Sequence, residues 1–326
     1  MRPFPASSLA IATILVAGIL ASAAGSARAA SFDCKKAKTQ IEKSVCADSE
    51  LSALDDKLAA VYRATLAKLS PEGQRLLQNG QGQWLRALRT DCDVKGAVRL
   101  CIETAYNDRL RQIDSGVVRI AGFLFMNVDL FRSEFCTGGN GETYIFKERV
   151  SYPRIDSPRT EATARWNAQR KDSLNKEHRC DPESNSDYYS RYDIDVVGGP
   201  IVTITFSGFD CCDTLINGYS WENRETFDLS RSLEPLTGDN FFVPDSGWVT
   251  FLIQRSMEAL KEQNGSVSLD PELLRGLVDD SQHWAIQKSG LSIHFLPYTI
   301  GGYAFELTIP WADLKPYLRS DAPIPR

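Results

Sequence analysis

The spacing of apolar residues changes period near residue 115. Before that point it is helical: Leu51, Leu54, Leu58 and Val61 share one face, as do Leu77, Trp84 and Leu88, and again Ile102, Tyr106, Leu110 and Ile113. Between the first two runs stand Ser70, Pro71 and Glu72. They supply a capping hydroxyl, a proline suited to the first helical position and an acid that complements the helix dipole. The pattern predicts a helical hairpin folded near residue 70 and a third helix that covers it. Cys34, Cys46, Cys92 and Cys101 punctuate these runs. Cys46 and Cys92 lie almost equally far from the fold, so an antiparallel hairpin brings them together. Of the three connectivities open to four cysteines, this geometry favours Cys46–Cys92 and leaves Cys34–Cys101.

Beyond Ser115-Gly116 the period shortens towards that of strands. Val117 to Met126 is a short apolar run rich in β-branched residues, and Thr143 to Tyr152 alternates. The glycine-rich stretch Gly138-Gly139-Asn140-Gly141 between them is a turn signal. Arg159 to Glu177 has the spacing of a surface helix. Tyr188 to Val197 and Ile201 to Phe206 read as strands joined by Gly198-Gly199-Pro200, and Trp221 to Leu229 as another. Two helices follow, Trp248 to Gln263 and Pro271 to Val278. Closing strands run over Trp284 to Ile286, Leu291 to Phe295 and Tyr303 to Ile309, before a last helical turn from Pro310 to Leu318. Strands linked as hairpins and interrupted by two or three helices predict an α+β domain with a mostly antiparallel sheet. The expected organisation is a leader over residues 1–29, a disulfide-stapled helical module over 30–115 and the α+β domain over 116–326.

The leader rests on Arg2, the short apolar core Leu9 to Leu20 and the small-x-small site Ala27-Arg28-Ala29. That core is shorter than the roughly twenty apolar residues a membrane helix needs. Ser31-Phe32-Asp33-Cys34 also lacks the small residue expected before a lipidated cysteine. The reading is a periplasmic or secreted protein without a stable membrane anchor. Export accounts for an even count of eight cysteines as disulfides. In the second half these are Cys136, Cys180, Cys211 and Cys212; adjacent Cys211 and Cys212 face opposite ways in extended chain and so reach different partners. Either can reach Cys136.

Charge narrows the partners. The chain carries −5, and removal of residues 1–29 takes away Arg2 and Arg28 but no acid, giving −7. Such a surface disfavours nucleic acid and anionic lipid and favours a basic partner. The three histidines, His178, His283 and His294, and the pairs His178-x-Cys180 and Asp210-Cys211-Cys212-Asp213 lack the paired spacing of a zinc site. No nucleophile elbow or phosphate loop is present. The expectation is a non-enzyme with no metal and no cofactor.

The order Cys34, Glu42, Cys46, Leu51, Leu54-Asp55, Tyr62, Gln81-x-x-Trp84, Cys92, Cys101 and Tyr106-x-x-Arg109 resembles the LprI-type lysozyme-inhibitor family. One departure is visible: where the family has an Arg-Asp pair before Cys92, this chain reads Leu88-Arg89-Thr90-Asp91. The second half is similar to the extracytoplasmic region of RsiV-type anti-sigma factors. That likeness rests on Tyr152-Pro153, Phe227-Asp228-Leu229 and above all Gly290-Leu291-x-x-x-Phe295-x-x-Tyr298-x-Ile300-x-x-Tyr303-Ala304, followed by Ile309-Pro310. Both resemblances imply lysozyme recognition, so the partner they imply is a lysozyme-type muramidase and the function its inhibition. The alternatives are an envelope sensor or scaffold that binds peptidoglycan or another envelope protein, and a cell-wall hydrolase. For the contact surface, Trp84 at helical spacing reads as core, and Tyr188, Tyr189 and Tyr192 fall on both faces of one strand, leaving at least one exposed. Pro297 to Tyr303 is an uncharged aromatic loop, and Pro297, Tyr298, Ile300 and Tyr303 are its candidate binding residues.

Overall fold

The computed structural model describes residues 30–92, 98–138, 141–172, 187–211, 219–264, 271–295 and 305–325. Helices come first: α1 (Gln40–Ala47), α2 (Ser49–Leu66), α3 (Pro71–Cys92) and α4 (Val98–Asp114). A capping box opens α1, in which Thr39 Oγ1 accepts from the Glu42 amide while Glu42 accepts from the Thr39 amide. The amides of Thr39 and Lys38, which both donate to it, hold the Glu42 carboxyl below its ordinary pKa. Asp48 ends α1 and starts α2: its backbone is extended (φ −118°, ψ 120°) and its carboxylate accepts from the amides of Glu50 and Leu51. The expected hairpin of α2 and α3 forms, and its buried Leu51, Leu58, Trp84 and Leu88 share one core with Ile102, Tyr106, Leu110 and Ile113 of α4.

The disulfides correct the expected pairing. Cys34 is bonded to Cys46, and Cys92 to Cys101, with Cα atoms 5.7 and 5.6 Å apart. The reason is the break at Asp48. Extrapolating α2 backwards as one straight helix carries Cys46 towards Cys92, but α1 is a separate helix that leaves the hairpin axis and folds back on residues 34–36. Cys92 closes α3 and pairs forward into the first turn of α4. Both bridges are therefore local. Cys136 is disulfide-bonded as well; Cys180, Cys212 and the side chain of Cys211 lie outside the described residues.

A six-stranded sheet follows in sequential order: β1 (Val117–Ile120), β2 (Phe123–Thr137), β3 (Thr143–Ser157), β4 (Asp187–Gly198), β5 (Ile201–Cys211) and β6 (Tyr219–Asp228). Every pairing is antiparallel except a short parallel one of Glu148–Val150 with Tyr188–Ser190. That crossover carries α5 (Glu161–Asp172), whose buried Trp166 packs on Phe125 and Phe227. Asn167 of α5 binds both the amide and the carbonyl of Ile155, at 2.9 Å each, and so stands in for a neighbouring strand. The run Val117 to Met126 is two strands rather than one. Ala121 (φ 48°) and Gly122 (φ 88°) turn it back in a two-residue hairpin, and alanine at the first position hides that turn in the sequence.

The remainder comprises α6 (Gly238–Phe241), α7 (Trp248–Asn264), α8 (Pro271–Asp279), β7 (Trp284–Ile286), β8 (Gly290–Phe295), β9 (Phe305–Pro310) and α9 (Trp311–Leu314). Strands β7 to β9 form a separate antiparallel sheet. Its face packs on α7 and α8 around Phe241, Phe242, Leu252, Trp284 and Phe295.

The helices join the large sheet at its edge rather than on its face. Past Asn127, whose amide still bonds to the Gly116 carbonyl, β2 has no strand partner on its β1 side among the described residues. There α3 runs alongside it, and Gln83 Oε1 accepts the Phe131 amide that another strand would otherwise take. Gly80 permits the approach: a Cβ there would stand 3.0 Å from the Asp129 carbonyl oxygen. Leu69 and Leu77 pack on Leu124, Met126 and Val128. Ser70 caps α3 and bonds to Asp156 through both its amide and its hydroxyl, Glu72 pairs with Arg154 at 2.8 Å, and Asp91 pairs with Arg149. At the centre Arg109 of α4 meets Asp129 of β2 at 2.5 Å, their side chains 0 % and 4 % exposed.

Two expected outcomes follow. Non-reducing peptide mapping should recover Cys34 linked to Cys46 and Cys92 linked to Cys101, and removal of either bridge should cost about 2–4 kcal/mol in denaturant unfolding. Arg109→Met or Asp129→Leu alone should cost about 3–5 kcal/mol, because each strands a buried charge. The double variant should cost less than the two single losses combined, and simple additivity in a double-mutant cycle would refute the coupling.

Candidate functional site

Most residues that carry the sequence motif fall into two groups of contacts, one around Asp55 and one around Arg109. Asp55 accepts a hydrogen bond from the Tyr106 hydroxyl at 3.0 Å and another from the Ser31 amide at 2.7 Å. Tyr106 packs edge-on against Trp84, ring centroids 5.2 Å apart. Burial first, then the Asp55 charge, pushes the Tyr106 hydroxyl far above its ordinary pKa, so it stays a donor. Arg109 donates through Nε to Gln81 and through Nη1 to Gln112 and Asp129, and its guanidinium lies 5.1 Å from the Phe131 ring centroid. Asp129 in turn accepts from Asn127 and Ser151. Glu42 is a helix cap, and Arg89, beside the motif's departure point, lies 3.9 Å from it at the surface. These side chains hold the helices together and dock them on the sheet.

Because α3 and α4 sit at the sheet edge, part of the strand surface beside α4 stays open. Two adjoining cavities of about 710 and 580 Å³ form a trough there. Phe131, Arg149 and Tyr189 line both. The register explains their grouping: Phe131 lies opposite Arg149, Arg149 beside Tyr189, and Tyr189 opposite Phe209. Farther along, Trp221 pairs with Gly208, and its ring occupies the space a side chain at 208 would fill. The indole therefore lies against the β5 backbone. Tyr189 is 38 % exposed, as expected for one tyrosine of its strand; burial, then nearby Asp187, pushes its hydroxyl pKa up to about 12.

The candidate loop residues Pro297, Tyr298, Ile300 and Tyr303 lie outside the described residues. Their flanks are described: β8 and β9 pair antiparallel up to Phe295 and Phe305, whose rings are 5.6 Å apart. His294, the penultimate residue of β8, lines the far end of the trough, 3.7 Å from Glu222. Burial, followed by the charge of Arg224, lowers its pKa, so it is neutral at neutral pH. It sits in its strand as a half-buried residue, and among the described residues no cluster of three or more histidines, cysteines or acids could hold a metal ion. No helix among the described residues is long and apolar enough to cross a membrane. Sequence reasoning missed the trough as a surface, since its residues come from six strands and two helices with no local spacing in common.

Residues 33–113 match the family model described as lysozyme inhibitor LprI. Curated relatives include Lipoprotein LprI of Mycobacterium bovis and of Mycobacterium tuberculosis, each 34 % identical over 83 residues, or 26 % of this chain and 40 % of the relative. The chain thus spans well under half the length of these relatives. Among solved structures, a DUF3298 family protein of Pseudomonas aeruginosa PAO1 covers 61 % of this chain and 96 % of its own, with 14 % identity and a TM-score of 0.42. A DUF3298 family member from Bacteroides fragilis covers 60 % and 94 %, with 13 % identity and a TM-score of 0.38. Both are too distant to bear on the site. The LprI likeness falls on the four helices and on the Asp55–Tyr106 and Gln81–Arg109 contacts that bind them together.

Proposed function

We propose that this chain is an exported, non-catalytic protein that binds a lysozyme-type muramidase and inhibits it. The observation that carries the reading is the match of residues 33–113 to a lysozyme-inhibitor family. The resemblance of the second half to the extracytoplasmic region of RsiV-type anti-sigma factors supports the same partner. Charge supports it too. Lysozymes are commonly basic, and a chain at −5, or −7 without residues 1–29, steers encounter with a cationic surface.

A lysozyme cleft is lined by carboxylates, so the group that enters it should be uncharged. Pro297 to Tyr303 fits that demand in composition, and in sequence it falls between β8 and β9, which pair antiparallel. In this reading Tyr298, Ile300 and Tyr303 make the contact, while Pro297 and the two glycines shape the loop. The motif network of the helices acts from inside, by fixing the scaffold.

The test is a lysozyme pull-down joined to a bacterial lysis assay. Capture with slower lysis is the expected result; capture without slower lysis would point to a sensor, and no capture would refute the proposal. Tyr298→Ala should cost about 2 kcal/mol, or about thirtyfold in affinity, with an unchanged melting temperature. Full affinity would move the contact off this loop. N-terminal sequencing of the exported protein should start at Ala30.

A further inference from the structure

We propose that the trough between α4 and strands β3 to β6 binds a carboxylate-bearing glycan. The first observation is charge. Lys147 and Arg191 line it, and neither forms an ion pair among the described residues. Arg191 is exposed and has only a 3.4 Å contact to the Ser207 hydroxyl. Unpaired cations within an aromatic-lined concavity, on a chain of net charge −5, select an anion. Arg149 adds little to this, since Asp91 already neutralises it. A guanidinium binds a carboxylate through two parallel N–H donors, and Arg191 has its fork free for that.

The second observation is the kind of surface offered. Tyr189, partly exposed, and Phe209 stand opposite each other on one face of the sheet and line the same cavity. Flat aromatic faces suit the apolar C–H face of a pyranose. Ser207 and Ser220 line the same cavity and offer hydroxyls to a sugar. The run from Arg149 through Tyr189 and Phe209 to Ser220 crosses four strands, about 14 Å at the usual strand spacing, which suits a short oligosaccharide. Each cavity also falls in the usual size range of small-ligand sites, about 300–1,000 Å³.

An acidic peptide is the poorer occupant. Extended peptides bind by adding to a free strand edge, and at Tyr189 and Phe209 both neighbours are already present. At these positions the trough offers side chains rather than a free strand edge. A glycan can be held by side chains alone.

The experiment is calorimetric titration of the whole exported protein with N-acetylglucosaminyl-N-acetylmuramic acid, whose lactyl group carries the carboxylate, and with neutral chitobiose. The acidic disaccharide should bind at least tenfold more tightly. Arg191→Met, an exposed substitution, should abolish that difference without moving the melting temperature. Tyr189→Ala should weaken both sugars about tenfold or more. No saturable binding of either sugar would overturn the proposal, as would equal binding of the two or binding that both variants leave untouched. If Arg191→Met weakened lysozyme capture while neither sugar bound, the trough would belong to the protein partner and the glycan site would be refuted.

Discussion

Arg109 and Asp129 form an ion pair almost without solvent contact at the meeting point of the helices and the large sheet. A pair in that position contributes little net stability against an apolar replacement, because each ion loses its hydration. Its consequence is geometric. Once Asp129 is buried on the β2 edge with Asn127 and Ser151 donating to it, only a cation delivered by α4 completes the site. Gln81 fixes that cation from α3. The pair therefore sets how the four helices stand relative to the strands, and the outlying contacts of Ser70, Glu72 and Asp91 follow the same line along α3.

Docking on an edge also settles how the sheet is protected. An unpaired strand edge is a template for aggregation. Here α3 covers β2, with Gln83 taking a backbone amide, and Asn167 of α5 does the same for β3 with both its donor and its acceptor. Amide side chains thus replace missing strands at two places. Because the helices are spent on the edge, the strand surface beside α4 is left as a trough rather than a buried layer.

The motif shared with the LprI family has a plain physical content. Glu42 caps a helix, Asp55 holds Tyr106, Trp84 packs on Tyr106, and Gln81 orients Arg109. These are requirements of the scaffold. A family can keep them while its exposed residues change, so a match over residues 33–113 carries the fold of the helices more firmly than it carries any contact surface.

Much of the architecture was legible in the residues themselves. Helical periodicity and the Ser70-Pro71 start gave α2, α3 and α4, and alternation bounded by glycine turns gave most strands, because both signals are local. The α+β class with a mostly antiparallel sheet followed from element order. What failed depended on direction in space. Asp48 redirects the chain between α1 and α2, and this turned an expected Cys46–Cys92 bridge into Cys34–Cys46 and Cys92–Cys101. The turn at Ala121-Gly122 carried no usual turn residue at its first position. The roles of Arg109 and Asp129, twenty residues apart in different elements, and the assembly of Phe131, Arg149, Tyr189 and Phe209 beside one another exist only through strand register and helix docking. Periodicity states which face of an element is apolar; which partner that face meets is decided by packing across the whole chain.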